Sequence, residues 1–243
     1  MTTVPTPVPR HRPPRLARAF ITGILVGAAA VATLLLANEW GTRWSPDHVV
    51  RGSGVAVTQS RTVPEFTELD AAGAGDVSVR VGGEQAVVVT ADDNLIDRIT
   101  TEVEGRTLML GARGSFTTEL PVTVQVTVPA LDAVMLTGTG VVTVEDVDTE
   151  ELTVHMPGTG RLVIHGTADL LDVELSGSGN VELEDLVARD AVATLSGFGR
   201  LHVHSTRSLN AAVSGTGMIV YSGDPTDVTQ HVTGVGAVTR ARP

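Results

Sequence analysis

The sequence predicts an all-β protein, a β-solenoid with coils of about 19 residues that follows one N-terminal transmembrane helix. The first observation is an apolar-Ser/Thr/Pro-Gly-x-Gly phrase that recurs six times from residue 131 onward, with second glycines 20, 19, 20, 18 and 19 residues apart. A fixed period of this length is typical of stacked repeats. The second is that apolar residues occupy every second position on both sides of each phrase, as in half-buried strands. The third is a long uncharged apolar run near the N-terminus.

The N-terminal part of the chain is predicted to cross a membrane once. Residues 1–18 are basic and rich in proline, which predicts a disordered cytoplasmic tail. Residues 19–38 are predicted to be a transmembrane signal anchor, because the stretch from Phe20 to Ala37 carries no charge and would span about 27 Å as a helix. Arginines before the run and tryptophans after it place the N-terminus in the cytoplasm and the β-domain outside. These residues are Arg10, Arg12, Arg15, Arg18, Trp40 and Trp44.

Two features of this segment have more than one interpretation. The triplet Ala30-Val-Ala32 also fits a signal peptide that is cleaved and leaves the domain exported, although the length of the apolar run favours an uncleaved anchor. Gly23 and Gly27 form a GxxxG motif that would pair two helices in a homodimer, although glycine is common in such helices without pairing. Both interpretations of the first feature place the β-domain on the same side of the membrane.

Residues 39–54 are predicted to be a polar linker, and residues 55–240 a single β-domain whose first part, residues 55–130, is irregular. A short helix is expected over residues 94–101, capped by Asp92 or Asp93. The irregular segments are expected to cap the stack, as terminal repeats usually do. Alternation and β-branching predict strands over residues 55–58, 77–81, 86–90, 107–110 and 122–128.

The regular repeats occupy residues 131–240. Each is expected to be a strand, a Gly-x-Gly corner, a second strand and a polar turn, for example at residues 146–151 or 223–227. Glycine suits a corner that needs positive φ or close backbone approach. Gly73-Ala-Gly75 looks like an earlier, degenerate copy. The corner glycines are Gly138, Gly140, Gly158, Gly160, Gly177, Gly179, Gly197, Gly199, Gly215, Gly217, Gly234 and Gly236.

These phrases, in this order and at this spacing, resemble the putative auto-transporter adhesin family with a head GIN domain. Segments upstream of the repeats carry the resemblance as well, over about residues 50–240. They are Gly52-Ser-Gly54, Val63-Pro-Glu-Phe66, Ala72-Gly-Ala-Gly-Asp-Val77, Asp92-Asp-Asn-Leu-Ile96 and Val128-Pro129. The resemblance implies an exported β-helix-like domain and transfers no catalytic residue.

The composition excludes several classes of function. The chain has no cysteine, which excludes disulfides, thiol catalysis and cysteine-based metal sites. Its net charge is −11, and this argues against a nucleic-acid partner. Aromatic residues make up only 3%, too few for an extensive aromatic sugar-binding surface. The motifs of serine hydrolases, zinc proteases and P-loop enzymes do not occur, so we expect no catalytic residue and no cofactor.

One constellation of candidate site residues emerges when the copies are aligned on their second glycines. Glutamate and histidine alternate three and five residues past the glycine, and the stack would place them at steps of about 4.8 Å. Such a Glu/His ladder fits either a surface metal site or an acid–base pair acting on a polysaccharide. Cross-strand charge pairs on a solvated face explain it equally and are the more common feature, so we expect no metal. The ladder comprises Glu145, His165, Glu182, Glu184, His202 and His204.

The function expected from the sequence is that of a membrane-anchored extracytoplasmic module for binding, adhesion or scaffolding in the cell envelope. Its partner would be an envelope protein or polysaccharide, and it would not be an enzyme. The alternatives are an enzyme acting on envelope polysaccharide, by analogy with other β-helices, and a sensor of envelope state. A grouped acidic cleft would favour the enzyme, whereas an unbroken flat face would favour binding.

Overall fold

The computed structural model describes residues 49–242. The predicted tail, the predicted membrane span with Gly23 and Gly27, and most of the predicted linker lie outside the described residues. Between residues 49 and 242, no helix is long and apolar enough to cross a membrane. The elements are β1 Val50–Arg51, β2 Ala56–Arg61, β3 Glu68–Ala71, β4 Ala74–Val81, β5 Ala86–Asp92, a 3-10 helix Ile96–Arg98, β6 Ile99–Glu104, β7 Thr107–Ala112, β8 Phe116–Thr117, β9 Thr123–Val128, β10 Ala133–Met135, β11 Thr139–Met156, β12 Thr159–Leu175, β13 Ser178–Leu195, β14 Phe198–Val213, β15 Thr216–Ser222, β16 Asp227–Val232 and β17 Val235–Arg240.

The repeats form the predicted solenoid. Strands β11 to β14 each follow almost a whole coil, and each pairs in parallel with the next. Strand β14 then pairs with β15 and β16, and β15 pairs with β17. Each strand therefore lies beside its equivalent one coil away, which confirms the predicted stacking; we call each level of the stack a rung. The second glycines pair in the order Gly140, Gly160, Gly179, Gly199, Gly217 and Gly236.

The core lies inside the coil and consists of the apolar residues at alternate positions. Leu171, Val173 and Leu175 are fully buried, whereas Asp172 between them is exposed. Leu162 and Ile164, after the corner of the same repeat, are also fully buried. The strand parity predicted from the sequence is therefore confirmed.

The corners show why this position takes glycine. Gly160 has φ +151°, and a Cβ atom placed on it would lie 2.0 Å from the carbonyl oxygen of Gly140 on the rung below. Both reasons given for glycine at the corner, positive φ and close backbone approach, therefore hold.

The polar turn expected at residues 146–151 is not a turn. This segment lies inside β11, where the register with β12 shifts between Val144 and Val147 and Asp146 adopts φ +63°. The coil bends here through a β-bulge, which keeps most of the ladder hydrogen bonds that a turn would give up. The turn expected at residues 223–227 does separate β15 from β16.

The first rungs of the stack do not follow chain order. Strands β3 and β4 pair with β10 and β11, with Gly75 opposite Gly140, so the degenerate copy is a true rung. The rung below it is built from β7 and β9, which come later in the chain. The chain therefore passes from one rung to the rung beneath it and returns above both to begin the regular repeats.

Antiparallel strands cover this end of the stack. Strand β5 pairs with β9, β2 pairs with β5, and β6 pairs with β7. The helix expected over residues 94–101 is reduced to one 3-10 turn, Ile96–Arg98, whose N-cap Leu95 makes no side-chain cap. Residues 99–101 belong to β6 instead, because the edge of β7 offers them hydrogen-bond partners.

The opposite end is closed differently. In the last rung, Gln230 lies opposite Ala211 in the strand register and Arg240 lies opposite Tyr221. Polar residues therefore occupy two positions that point inward in the rungs below. Arg240 forms an ion pair with Asp224 and donates a hydrogen bond to the carbonyl oxygen of Gly223. Polar residues at the inward positions of a terminal rung discourage further strands from adding to it.

Candidate binding surface

The structure brings together part of the predicted Glu/His ladder. His165 Nδ1 lies 3.0 Å from Glu145 Oε2 on the rung below, and its Nε2 lies 4.0 Å from Asp185 Oδ2. His202 Nδ1 lies 3.3 Å from Glu184 Oε2. No ion pair joins His204 to a carboxylate among residues 49–242, although alignment on the glycines would place it one rung from Glu184.

The reason for this difference is a change in register. Strand β13 has a bulge between Leu183 and Val187, so His204 lies opposite Val187. Glu182 does lie opposite His202, but its carboxylate is 3.3 Å from Arg161 Nε on the other side. Alignment on the second glycines no longer matches residues in space at the fifth residue after the glycine. Coils of different length accommodate their extra residues in a bulge at that point.

The ladder residues form pairs rather than a converging site. Within residues 49–242, no three His, Asp or Glu side chains are placed to hold one metal ion. His165 and Glu145 are both partly exposed, at 39% and 37% of their side-chain surfaces. Pairs of this kind contribute little to stability, and their geometry is that of cross-strand charge pairs.

An acidic groove lies on a different face, and the sequence did not reveal it. Glu68, Asp132, Glu150 and Glu151 line it, together with Arg106. Glu68 accepts hydrogen bonds of 2.6 Å from Thr107 Oγ1 and from Arg106 Nη2, and Arg106 also lies 3.6 Å from Asp132. The hydrogen bond from Thr107, followed by that from Arg106, lowers the pKa of Glu68. This carboxylate therefore stays ionised, whereas a glycosidase needs a general acid with a raised pKa.

Asp190 is a second carboxylate that sequence reasoning missed. Its side chain is only 16% exposed and accepts hydrogen bonds from Arg207 on the next rung, including one of 2.7 Å from Nε. Ser208 Oγ donates to it as well. These hydrogen bonds, that from Arg207 above all, lower the pKa of Asp190 to about 2. The contacts tie two neighbouring rungs together on the outside of the coil.

Asp92 holds the segment that precedes β2 in place. Its buried carboxylate accepts hydrogen bonds from the backbone N–H of Gly54 at 2.7 Å, of Glu119 at 3.1 Å and of Leu120 at 3.3 Å. Burial opposes ionisation of Asp92, but these amides outweigh it and lower its pKa. Asn94 adds a bond from its amide to the carbonyl of Arg51.

Together with the pairing of β1 and β8, these bonds form a clasp, which we define as Asp92 and Asn94 with residues 50–54. Residues 50–54, at the end of the predicted linker, are therefore attached to the β-domain by these bonds. Asp92 serves the clasp, which is why it does not cap a helix.

Among residues 49–242, the two most exposed large apolar side chains lie along the Gly-x-Gly corner near the C-terminal end of the stack. Phe198 is 65% exposed and Val235 is 77% exposed. In the register, Thr216 lies between them, and Met218, two residues after Thr216, is 36% exposed. Exposed apolar side chains that cluster in this way are typical of interaction surfaces. The corner column, defined by the middle residue of each Gly-x-Gly, consists of Thr139, Thr159, Ser178, Phe198, Thr216 and Val235.

A cation accompanies this apolar cluster. Arg200 lies two residues after Phe198, on the same side of β14, with Asn180 and Met218 as its neighbours on the adjoining rungs. A shallow groove is lined by Asn180, Arg200, Thr216, Met218 and Val235. No signal in the sequence singled out these residues, since each occupies a position that the repeat leaves free.

Comparison with solved structures supports the fold. The chain is 24% identical to a putative adhesin from Bacteroides fragilis, with a TM-score of 0.67, and the match covers 79% of this chain and all of that one. A putative lipid binding protein from Parabacteroides distasonis is 20% identical with a TM-score of 0.49, over 79% and 99% of the two chains. A putative adhesin from Parabacteroides merdae is 19% identical with a TM-score of 0.47, over the same shares. Only the first superposes closely enough to support the fold.

No curated protein matches this chain. A family model described as putative auto-transporter adhesin, head GIN domain, matches residues 65–225, which include the clasp residues Asp92 and Asn94, five of the six corners and the exposed Phe198. Because this match covers most of the chain and the predicted rungs are present in the structure, the chain belongs to the putative auto-transporter adhesin family with a head GIN domain.

Proposed function

We propose that this protein is an adhesion module of the cell envelope, with its β-domain outside the cytoplasm and the apolar segment 19–38 as its membrane anchor. Membership of an adhesin family supports a binding role. The basic residues before the apolar segment support the orientation. The observation that carries the proposal is the cluster of Phe198, Met218 and Val235 at one corner, where Val235 and Phe198 are the two most exposed large apolar side chains among residues 49–242.

Under this proposal, the module binds its partner and catalyses no reaction. The Glu/His pairs do not converge on a common point, and Glu68 in the acidic groove is held ionised by Thr107 and Arg106. Glu68 is therefore not suited to be the general acid that delivers the proton in glycosidic cleavage. Binding through outward side chains on a rigid stack needs no such group.

Binding is tested with the full-length protein in mild detergent and intact envelopes of the producing organism. We expect saturable binding, weakened about tenfold or more when Phe198, Met218 and Val235 are replaced by Thr, Asn and Thr. Exposed clusters that include an aromatic residue usually supply much of the binding energy. Failure of the unaltered protein to saturate, or release of soluble sugar from the envelopes, would contradict the proposal.

The orientation is tested separately. A reporter that works only outside the cytoplasm, fused after Pro243, should be active. Replacing Arg10, Arg12, Arg15 and Arg18 by neutral residues should reduce that activity. Activity of a cytoplasm-only reporter at the same position would overturn the topology, and a mature chain that begins near Thr33 would identify a cleaved signal peptide instead.

A further inference from the structure

Arg200 is a free cation in an acidic domain. No carboxylate among residues 49–242 lies within ion-pair distance of its guanidinium. Arg161 occupies the same column two rungs away and is paired with Glu182 at 3.3 Å. Although the protein as a whole is acidic, with 28 acidic residues against 17 basic ones, the groove around Arg200 is lined by Asn180, Thr216, Met218 and Val235 and contains no carboxylate, so its local charge favours an anion. An arginine in this state offers its planar fork of donors to an external carboxylate.

The surroundings of Arg200 define the rest of the ligand. Phe198 presents an exposed ring on one side, and the Asn180 amide and the Thr216 hydroxyl stand on the rungs below and above. An aromatic ring packs well against the apolar C–H face of a sugar ring, while amide and hydroxyl groups bond its hydroxyls. Beyond Phe198, the corner column continues as Ser178, Thr159 and Thr139, which places hydroxyls about 4.8 Å apart. A repeating polymer with many hydroxyl groups can use such a row, whereas a lipid chain cannot.

The backbone at this corner is already occupied. The N–H of Phe198 donates to Gly177 O at 2.9 Å, that of Thr216 to Gly197 O at 2.9 Å and that of Val235 to Gly215 O at 2.9 Å. A peptide therefore finds no free N–H on these residues with which to add as a strand, which is the usual means of recognition at a sheet. Recognition here depends on side chains, as it does for carbohydrates.

We propose that this corner binds an acidic polysaccharide, with Arg200 on a sugar carboxylate and Phe198 against the face of a sugar ring. The proposal rests on the binding role proposed above and names the partner class for that same surface. Arg200 supplies selectivity for acidic over neutral polymers, and the hydroxyl row extends the contact over several sugar units.

The test measures binding of the full-length protein in mild detergent to polygalacturonate, alginate and hyaluronate, with methyl-esterified polygalacturonate as the neutral partner. We expect at least one acidic polymer to bind. The ester should bind at least about tenfold more weakly, because the charge-assisted hydrogen bond to Arg200 is lost. Phe198→Thr and Arg200→Asn install residues that the neighbouring rungs already carry at these positions, so both should fold. Each should weaken binding about tenfold or more.

Arg161→Asn is the matched control, because it removes from the same column an arginine that is already paired with Glu182, and it should weaken binding much less than Arg200→Asn does. Equal binding of the acid and its ester, or an equal loss in Arg161→Asn and Arg200→Asn, would overturn the proposal. Failure of all three acidic polymers to bind or to compete for envelopes would overturn it too. If the envelopes still bind saturably in that last case, the adhesion role stands and only the partner class is wrong; if they do not, both proposals fail.

Discussion

At the scale of single residues, the corner glycines are where sequence and backbone are most tightly linked. Gly160 combines φ +151° with a neighbouring carbonyl oxygen 2.0 Å from where a Cβ would be. We expect Gly160→Ala to destabilise the domain by roughly 2–6 kcal/mol, the sum of dihedral strain and overpacking. Thermal and denaturant unfolding of the purified protein measure this loss.

Gly82→Ala is the matched control, because Gly82 has φ +93° and nothing within 4 Å of a Cβ atom. It should show the dihedral cost alone. Equal losses from the two substitutions would mean that backbone contact between rungs is not what restricts the corner to glycine.

Asp190 gives a prediction for acid. Its pKa is lowered to about 2 by the hydrogen bonds from Arg207 and Ser208, against about 3.9 for an ordinary aspartate. A depressed folded-state pKa stabilises the protein above pH 4, and this contribution is lost as the pH falls from about 4 to 2. The melting temperature of the unaltered protein should therefore exceed that of Asp190→Asn at pH 7, and the difference should shrink over that window. Asp172→Asn, an exposed carboxylate, should show no such convergence.

The residues that sequence could predict are those whose role follows from position in the repeat. Gly140, Gly160 and Val173 repeat with the coil, so the period identifies them. Glu184 forms an ion pair with His202 and not with His204, and this choice depends on a bulge in β13. Bulge position is set by how each coil takes up one or two extra residues, and the alternation of apolar and polar residues does not report it.

At the scale of elements, the strands owe their stability to burial of one face. Val173 is fully buried and the adjacent Asp172 is exposed. We expect Val173→Asp to cost about 3–5 kcal/mol, the range for an uncompensated buried charge, and to unfold much of the stack. Asp172→Val should change stability by no more than about 0.5 kcal/mol. Melting curves that shift equally for the two variants would show that the strand faces are assigned the wrong way round.

The clasp gives a prediction about local order. Asp92→Ala leaves the N–H groups of Gly54, Glu119 and Leu120 without their shared acceptor. We expect amide hydrogen exchange in residues 50–54 and 116–120 to become much faster, while β11 to β14 remain protected. Asn94→Ala, which removes only the bond to Arg51 and that from Ser53, should have a smaller effect. Unchanged exchange in Asp92→Ala would mean that β1 and β8 hold the segment by themselves.

The alternation of apolar and polar residues predicts the strands, but the helix expected over residues 94–101 forms only as a single 3-10 turn. The sequence Asp92-Asp-Asn-Leu-Ile96 has the pattern of a helix start, but the carboxylate of Asp92 is used by distant backbone amides. Local sequence gives no information about a competitor that lies 27 residues away along the chain. The pairing of β6 with β7 then favours strand over helix for the residues that follow.

At the scale of the whole molecule, the regular rungs are exchangeable units. Because β11 to β14 pair only with their direct neighbours, removing one complete period should rejoin equivalent positions. We expect deletion of residues 160–178 to give a folded protein with a lower melting temperature and a stack shorter by about 4.8 Å. Small-angle scattering and circular dichroism measure both effects. Deletion of ten residues from the same region should unfold the domain, and equal tolerance of the two deletions would contradict the exchangeable rung.

The order of the first rungs was beyond the reach of the sequence. The period shows which segments resemble one another, but β7 and β9 carry no Gly-x-Gly phrase and still occupy a place beneath β3 and β4. Their position follows from the long connection through β5 and β6, which the antiparallel pairings at the capped end hold in place.

Because the rungs are exchangeable, their number sets the distance between two points along the stack. The clasp fixes where the chain enters the domain, at the capped end, and Phe198 lies four rungs above Gly75, about 19 Å along the stack. Gain or loss of one coil would change this reach by about 4.8 Å and would alter neither the attachment point nor the chemistry of the corner. The distance of this corner from the point where the chain enters the domain and the side chains that the corner presents are therefore encoded in separate parts of the chain, and each can vary without the other.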